Sequence, residues 1–313
     1  MNIARDTNMN WIDYESYIEI YPPKEFNFEE CLVFLGRSNQ EVLHRMEEGF
    51  LYKLIKVNES LILCKVGSIN HAIKVEFPLN PESNDIHKKV AEYIWEWFDL
   101  DQDLESFYQV ADKDKVLRTL THKYHGLRIM CIPDLFEAIV WAIMGQQINL
   151  TFAYTLKKRF VEKYGESLTF QEKTFWLFPS FEKIASIHVD DLRELQFTTR
   201  KAEYIIGIAK DMQSGKLTKE LLLMKQDDHQ VKKSLLLIRG IGAWTAEYVM
   251  MKCLHYTSSF PVSDVGLHNA LKNVLELKSK PTIEKTEELA EGWKGWQAYA
   301  TFYLWRSLYD KNT

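Results

Sequence analysis

Only four cysteines, Cys31, Cys64, Cys131 and Cys253, occur in the 313 residues, and no two form a C-x-x-C pair. That absence removes the ligand spacing of a zinc or iron–sulfur site and fits a reduced, cytosolic chain with buried thiols. No apolar run approaches the roughly 18 residues of a membrane span. The first residues, MNIARDTNMNWIDY, lack the apolar stretch of a secretion signal, so the expected location is cytoplasmic, with no membrane partner. No repeat or low-complexity segment is visible. What remains, 46% hydrophobic and 27% charged, is the composition of a soluble globular protein long enough for two domains.

The chain also lacks a positive net charge: 39 Lys and Arg face 44 Asp and Glu, for a net of −5. The average hides a split. Residues 1–110 hold 10 basic against 20 acidic side chains, whereas residues 111–313 hold 29 against 24. Such asymmetry suits a second half that meets a polyanion, although solvated helix faces would also produce it.

The halves differ in hydrophobic period as well. From Leu51 to Phe77 apolar and polar residues alternate, with polar breaks at Asn58-Glu59-Ser60 and Gly67-Ser68, which predicts an antiparallel meander of three strands. From Asn84 the spacing turns helical, with Ile86, Val90, Tyr93, Ile94 and Trp97 three or four apart. Acidic Asp99 to Glu105 reads as a surface segment before a domain boundary near residue 115. Beyond it nearly every segment is helical. One helix opens at Pro133-Asp134, with Asp134 and Glu137 spaced as a capping box, and halts at Gly145-Gln146-Gln147. A second stops at Gly165. Further helices are expected at Asp190–Leu195, Thr199–Met212, Lys219–Met224, Val231–Arg239, Ala243–Tyr256, Gly266–Leu277 and Ile283–Tyr309. The expected fold class is therefore multidomain α+β. Residues 1–115 form an N-terminal α/β domain with an antiparallel sheet, and residues 116–313 a mostly α-helical domain.

Within the helical part, LLLIRGIGAWTAEYVMMK (Leu235–Lys252) joins two apolar helices through Gly240-Ile241-Gly242. A dinucleotide fingerprint would need a third glycine where Thr245 stands, and βαβ alternation around it; both are missing. Two readings remain at this point: a tight turn between core helices, or a helix-hairpin-helix. In the second, glycines permit positive φ and leave no Cβ in the way. Backbone N–H groups at the start of the second helix then approach a phosphate, helped by the helix dipole, while Ile241 plugs the hairpin from inside. Such a grip needs no large basic excess.

Next comes FPVSDVGLHNAL (Phe260–Leu271), which places Asp264 in a turn before a fresh helix. Alone, Ser263 or Asp264 reads as an ordinary N-cap. Joined to the hairpin, L-x-x-I-x-G-I-G-x-W-T-A followed by F-P-x-x-D-x-G-L resembles the helix-hairpin-helix (HhH-GPD) DNA glycosylase superfamily, whose motif ends in an essential aspartate. PDLFEAIVWAIMGQQINL (Pro133–Leu150), TTRKAEYIIGIAKDM (Thr198–Met212) and WKGWQAYATFYLW (Trp293–Trp305) extend the likeness and point to its 3-methyladenine DNA glycosylase II branch. The first ~45 residues carry no motif of that branch.

The resemblance implies a monofunctional glycosylase of base excision repair that hydrolyses the N-glycosidic bond of alkylated purines in double-stranded DNA. It would act as a monomer, associated with the nucleoid when bound. The alternatives are a glycosylase for oxidised or mismatched bases and a non-catalytic helix-hairpin-helix DNA-binding module, which would need neither Asp264 nor Trp305. Glycoside cleavage passes through an oxocarbenium-like sugar, which a carboxylate stabilises; Asp264 takes that role and orients the water. A purine alkylated at N3 or N7 is cationic and departs neutral, so one carboxylate suffices. The family match implies a pocket of Trp244, Tyr248 and Trp305, whose rings favour a cationic base by ~1–2 kcal/mol. By themselves Tyr248 and Trp305 read as core. Relatives that also cleave the strand carry a nucleophilic lysine at the Trp244 position, twenty residues before Asp264; indole forms no Schiff base, and Lys252 lies two helical turns beyond. DNA contacts are implied for Arg239, Gly240, Ile241, Gly242 and Thr245 of the hairpin. Gln146 and Gln147 resemble the wedge that fills the gap left by a flipped nucleotide, Gln147 being the preferred candidate and a turn-capping amide the alternative. Arg239 and Ala243 replace prolines common around the hairpin, and Val265 stands where some members place an aromatic. No metal or organic cofactor is implied, apart from a monovalent cation at the hairpin, and with no cysteine after Cys253 the iron–sulfur glycosylases are excluded.

Overall fold

The computed structural model describes residues 9–14, 16–79 and 84–310. Six antiparallel strands form one sheet: β1 (Asn10–Asp13), β2 (Tyr17–Tyr21), β3 (His44–Glu47), β4 (Phe50–Val57), β5 (Ser60–Ile69) and β6 (Ala72–Glu76), in the order β1-β2-β6-β5-β4-β3. The expected three-strand meander is its centre, β4-β5-β6. Two of its turns are two-residue connections in left-handed backbone, Glu48-Gly49 between β3 and β4 and Asn70-His71 between β5 and β6, the conformation that matches strand twist.

The second break is not at Gly67-Ser68, which lies inside β5 with Gly67 opposite Lys74. The glycine has another cause: a Cβ there would stand 2.9 Å from the Phe50 ring. Asp99 is not a surface acid either. It is 3% exposed and accepts hydrogen bonds from His255 Nδ1 and the Tyr299 hydroxyl, both at 2.7 Å.

The helical segments follow the expected order with shifted ends. Leu135–Gly145 starts at Asp134, whose carboxylate accepts from Glu137 N, and Leu150–Tyr164 ends at Gly165. Gly165 has φ −72, so its smallness matters rather than left-handed freedom: a Cβ would lie 2.4 Å from the Leu177 carbonyl oxygen. Thr199–Gln213 is capped by Thr198. The expected Ala243–Tyr256 helix ends at Lys252, before left-handed His255. Ile283–Tyr309 is two helices, Ile283–Ala290 and Gln297–Ser307, separated by a 3-10 turn and by Gly295 at φ +85. A two-stranded hairpin, β7 (Ser167–Phe170) and β8 (Lys173–Trp176), interrupts the helical part through left-handed Gln171-Glu172. Its Phe175 packs with Leu54 and Leu63 of the sheet.

Two compact units emerge, neither continuous in sequence. One comprises residues 1–24, 38–97 and 132–222, the other 25–37, 98–131 and 223–313. A single cut after residue 115 therefore does not describe the chain. In the second unit fully buried Arg128 shows why: its guanidinium donates to the carbonyls of Asp99 and Gln102 at 2.8 Å and to Glu25 at 2.6 Å, joining three distant stretches. In the first, Lys157 bonds both carboxylate oxygens of Glu41 at 3.0 and 2.8 Å, tying a helix to the segment before β3. Burial would raise the Glu41 carboxyl, but the Lys157 charge beside it holds it well below the usual carboxylate range. All four cysteines are free and buried, and no helix among the described residues is long and apolar enough to cross a membrane.

Candidate active site

The hairpin, the aspartate and the three aromatic side chains lie in the second unit. Asp228–Leu236 ends in a short turn, Gly240 adopts φ +99, and Gly242 is the N-cap of Ala243–Lys252. Only Gly240 needs the left-handed region. Gly242 sits at φ −91, and a Cβ added there would meet nothing within 4 Å. The protein itself therefore gives no steric reason for that glycine. Having no side chain, Gly242 provides no cap to the first-turn amides. Ile241 is buried, as a plug should be, and Arg239 is exposed. Thr245 differs from expectation: it is 2% exposed, so its side chain faces the core and only its first-turn amide belongs to the helix start.

Asp264 is half-buried and fully engaged. Oδ1 accepts from Trp244 Nε1 at 2.9 Å, and Oδ2 accepts from Trp305 Nε1 at 2.8 Å and from Leu267 N at 2.7 Å. It is thus both the N-cap of Val265–Val274 and the acceptor of two indole N–H groups. This corrects the picture of Trp244 and Trp305 as bare ring walls: each also fixes one carboxylate oxygen. Tyr248 lies between them, its ring stacked on Trp244 at 5.4 Å and 29° and 6.2 Å from the Trp305 ring. The spacing of four residues puts Trp244 and Tyr248 on one helix face.

Three further residues stand beside the site, and of these only Gly266 belongs to the motif quoted from the sequence. Gly266 follows within two residues of the aspartate because a Cβ would stand 2.9 Å from Asp264 Oδ2 and 3.2 Å from Trp305 Nε1. Glu247, buried on the hairpin's second helix, accepts from Phe260 N at 2.9 Å and pairs with Lys232 at 2.6 Å, which anchors the segment leading to Asp264. Tyr309 is the third: burial pushes its phenol up, the Arg37 guanidinium opposes this and the Asp264 carboxylate adds to it, placing all three in one electrostatic neighbourhood. Val265 is 63% exposed and closes nothing off.

Lys252 is directed into the core. Its ammonium donates to the Met130 carbonyl and lies 4.9 Å from the Phe302 ring centroid; burial pushes its pKa down to about 7. Asp99, Cys131 and His255 bring donor atoms within 4.8 Å of one another, but the His255–Asp99 and Tyr299–Asp99 hydrogen bonds already account for the carboxylate. In the first unit, Gln146 is the C-cap of Leu135–Gly145, and exposed Gln147 has φ +57. Left-handed backbone at a non-glycine residue puts that side chain at a sharp corner.

A family model described as "HhH-GPD superfamily base excision DNA repair protein" matches residues 140–295, and one described as "8-oxoguanine DNA glycosylase, N-terminal domain" matches residues 20–139. The chain is 43% identical over 304 residues to a DNA-3-methyladenine glycosylase of Bacillus subtilis (strain 168), covering 96% of this chain and 100% of the relative. Among solved structures it is similar to the 3-methyladenine DNA glycosylase of Archaeoglobus fulgidus, with a TM-score of 0.80, 27% identity and coverage of 93% and 97%. It shares its fold with the Clostridium acetobutylicum 8-oxoguanine glycosylase/lyase bound to double-stranded DNA, at a TM-score of 0.75, 18% identity and coverage of 97% and 98%.

Proposed function

The chain belongs to the HhH-GPD superfamily of base excision DNA repair proteins, and from that membership we propose that it is a monofunctional glycosylase releasing alkylated purines of the 3-methyladenine and 7-methylguanine type. The observation that carries this reading is the carboxylate of Asp264 held by two indole N–H groups, one of them at the position a lyase would give to lysine. A fixed carboxylate stabilises the positive charge that develops on the sugar as the glycosidic bond opens, without reorganising at that moment. The bonding electron pair leaves with the cationic base, which departs neutral. Water oxygen then bonds to the anomeric carbon, and its proton passes to Asp264 or solvent. The stacked Trp244 and Tyr248 rings supply the electron-rich surface that a flipped cationic base prefers. The DNA-3-methyladenine glycosylase names of the Bacillus and Archaeoglobus proteins agree with this substrate class. The hairpin amides, Gly242 and Arg239 are assigned to the phosphate backbone, and Gln147 to the gap left by the flipped nucleotide.

A second reading, release of an oxidised purine with strand cleavage, draws on the N-terminal match to residues 20–139. Trp244 opposes it, since indole offers no amine, and Lys252 keeps its own in the core. The test is to incubate the protein with methylated and with oxidised duplex DNA, identify the released bases, and add borohydride. Expected are 3-methylpurines and 7-methylguanine, no covalent protein–DNA adduct, and nicking only after alkali. Release of 8-oxoguanine alone, or a trapped adduct, would overturn the reading; release of no base would leave a DNA-binding module.

A further inference from the structure

Lys201 is 9% exposed, on the first turn of the Thr199–Gln213 helix. Its ammonium donates to the Met144 carbonyl at 2.8 Å and to the Gln146 carbonyl at 2.7 Å. Those two oxygens close the Leu135–Gly145 helix, one in its last turn and one at its C-cap, and left-handed Gln147 follows at once. A helix C-terminus carries partial negative charge and unsatisfied carbonyls, so a cation there is favourable. Burying an ammonium is nonetheless a costly way to end a helix, because a glycine in the left-handed position caps carbonyls with the backbone alone. The lysine achieves something the glycine would not. It bonds the carbonyls on both sides of Gly145 from a neighbouring helix, and it leaves position 147 to a residue with a long polar side chain. The backbone N–H of Lys201 is itself held by Thr198 Oγ1 at 3.3 Å, which fixes the clamp's own base.

We propose that Lys201 is a positioning residue for base flipping. By clamping the Met144 and Gln146 carbonyls it holds the Gln146–Gln147 corner rigid, and Gln147 enters the duplex at the flipped nucleotide's place without first being ordered. The inference rests on the glycosylase reading and on the wedge assignment within it. A rigid corner lowers the entropy cost of insertion, so its loss falls on the step that opens the base stack and not on glycosidic cleavage.

The experiment compares wild type, Lys201→Met, Lys201→Arg and Gln147→Ala on a 3-methylpurine-type lesion in two settings, paired within a duplex and unpaired in a bulge where the stack is already open. A 2-aminopurine beside an abasic site reports insertion by fluorescence without any catalysis. Lys201→Met should lose about ten- to a hundredfold in kcat/KM on the paired lesion and less than about threefold on the bulge, with the fluorescence change lost. Gln147→Ala should show the same pattern, the double variant should be no worse than either single one, and Lys201→Arg should recover part of the loss. An equal loss in both settings would make Lys201 merely structural and overturn the proposal, as would full additivity with Gln147→Ala. Should Lys201→Met fail to fold, Lys201→Arg and exposed Gln147→Ala carry the same cycle. The glycosylase reading fails separately, if wild type releases no base while the fluorescence signal persists.

Discussion

Asp264 carries two roles in one side chain, and its substitutions separate them. Asparagine still caps a helix, because its carbonyl oxygen can accept from Leu267 N, but a neutral amide cannot stabilise a developing cation. Asp264→Asn keeps one acceptor oxygen but turns its NH2 toward one indole N–H, so it should lose about 1 kcal/mol of stability while still binding abasic duplex, and transition-state stabilisation should fall by about 2–4 kcal/mol or more. Alanine removes the cap as well and should lower stability by a further ~1 kcal/mol. Single-turnover excision and thermal melts on both variants check this; near wild-type excision by the asparagine variant would reduce Asp264 to a cap. Lys252 offers a pH test at the same scale. Its folded pKa of about 7 lies below the ordinary lysine value, so between these the unfolded chain holds a proton that the folded chain has lost. Stability from this residue then rises with pH across that window, and the burden is greatest below pH 7. Lys252→Met should flatten that slope by a few kcal/mol across about pH 7–10, read from urea midpoints. An unchanged slope would mean the ammonium stays charged in the core.

At the scale of the element, the hairpin is a turn whose second glycine answers to nothing inside the protein. Gly242 has ordinary backbone angles and open space where a Cβ would go, so Gly242→Asp should fold normally. Against DNA the same change places a carboxylate where helix-start amides would receive a phosphate. Binding to damaged and undamaged duplex should weaken alike, with base preference unchanged, because backbone contacts position and pocket contacts specify. Affinity should fall with salt along a shallow slope, each neutralised phosphate contributing about 0.9. Isotherms at several salt concentrations, with circular dichroism for folding, decide it: a folded variant that binds as tightly as wild type would sink the phosphate role. Gly240 is the opposite case, since its φ of +99 strains any side chain, and a substitution there would confound binding with folding.

For the whole molecule, the acidic average conceals a chain that leaves each compact unit and returns to it, so stability rests on contacts between remote stretches. Periodicity made the meander, the order of the helices and the cap at Asp134 legible in the sequence, because 2.0 and 3.6 repeats and N-cap chemistry are local. The motif from Leu235 to Leu271 likewise placed the hairpin and the aspartate, since short-range spacing of glycines and a carboxylate survives as spacing in the fold. What required the tertiary structure was everything set by partners far along the chain. Asp99 reads as a surface acid until His255 and Tyr299 reach it, and the β7–β8 hairpin has no asparagine–glycine turn to announce it. Trp305 lies forty-one residues from Asp264, and Lys201 fifty-seven from Met144. Such bonds follow from how helices pack, and packing depends on the shape of whole surfaces, which no local pattern of residues encodes.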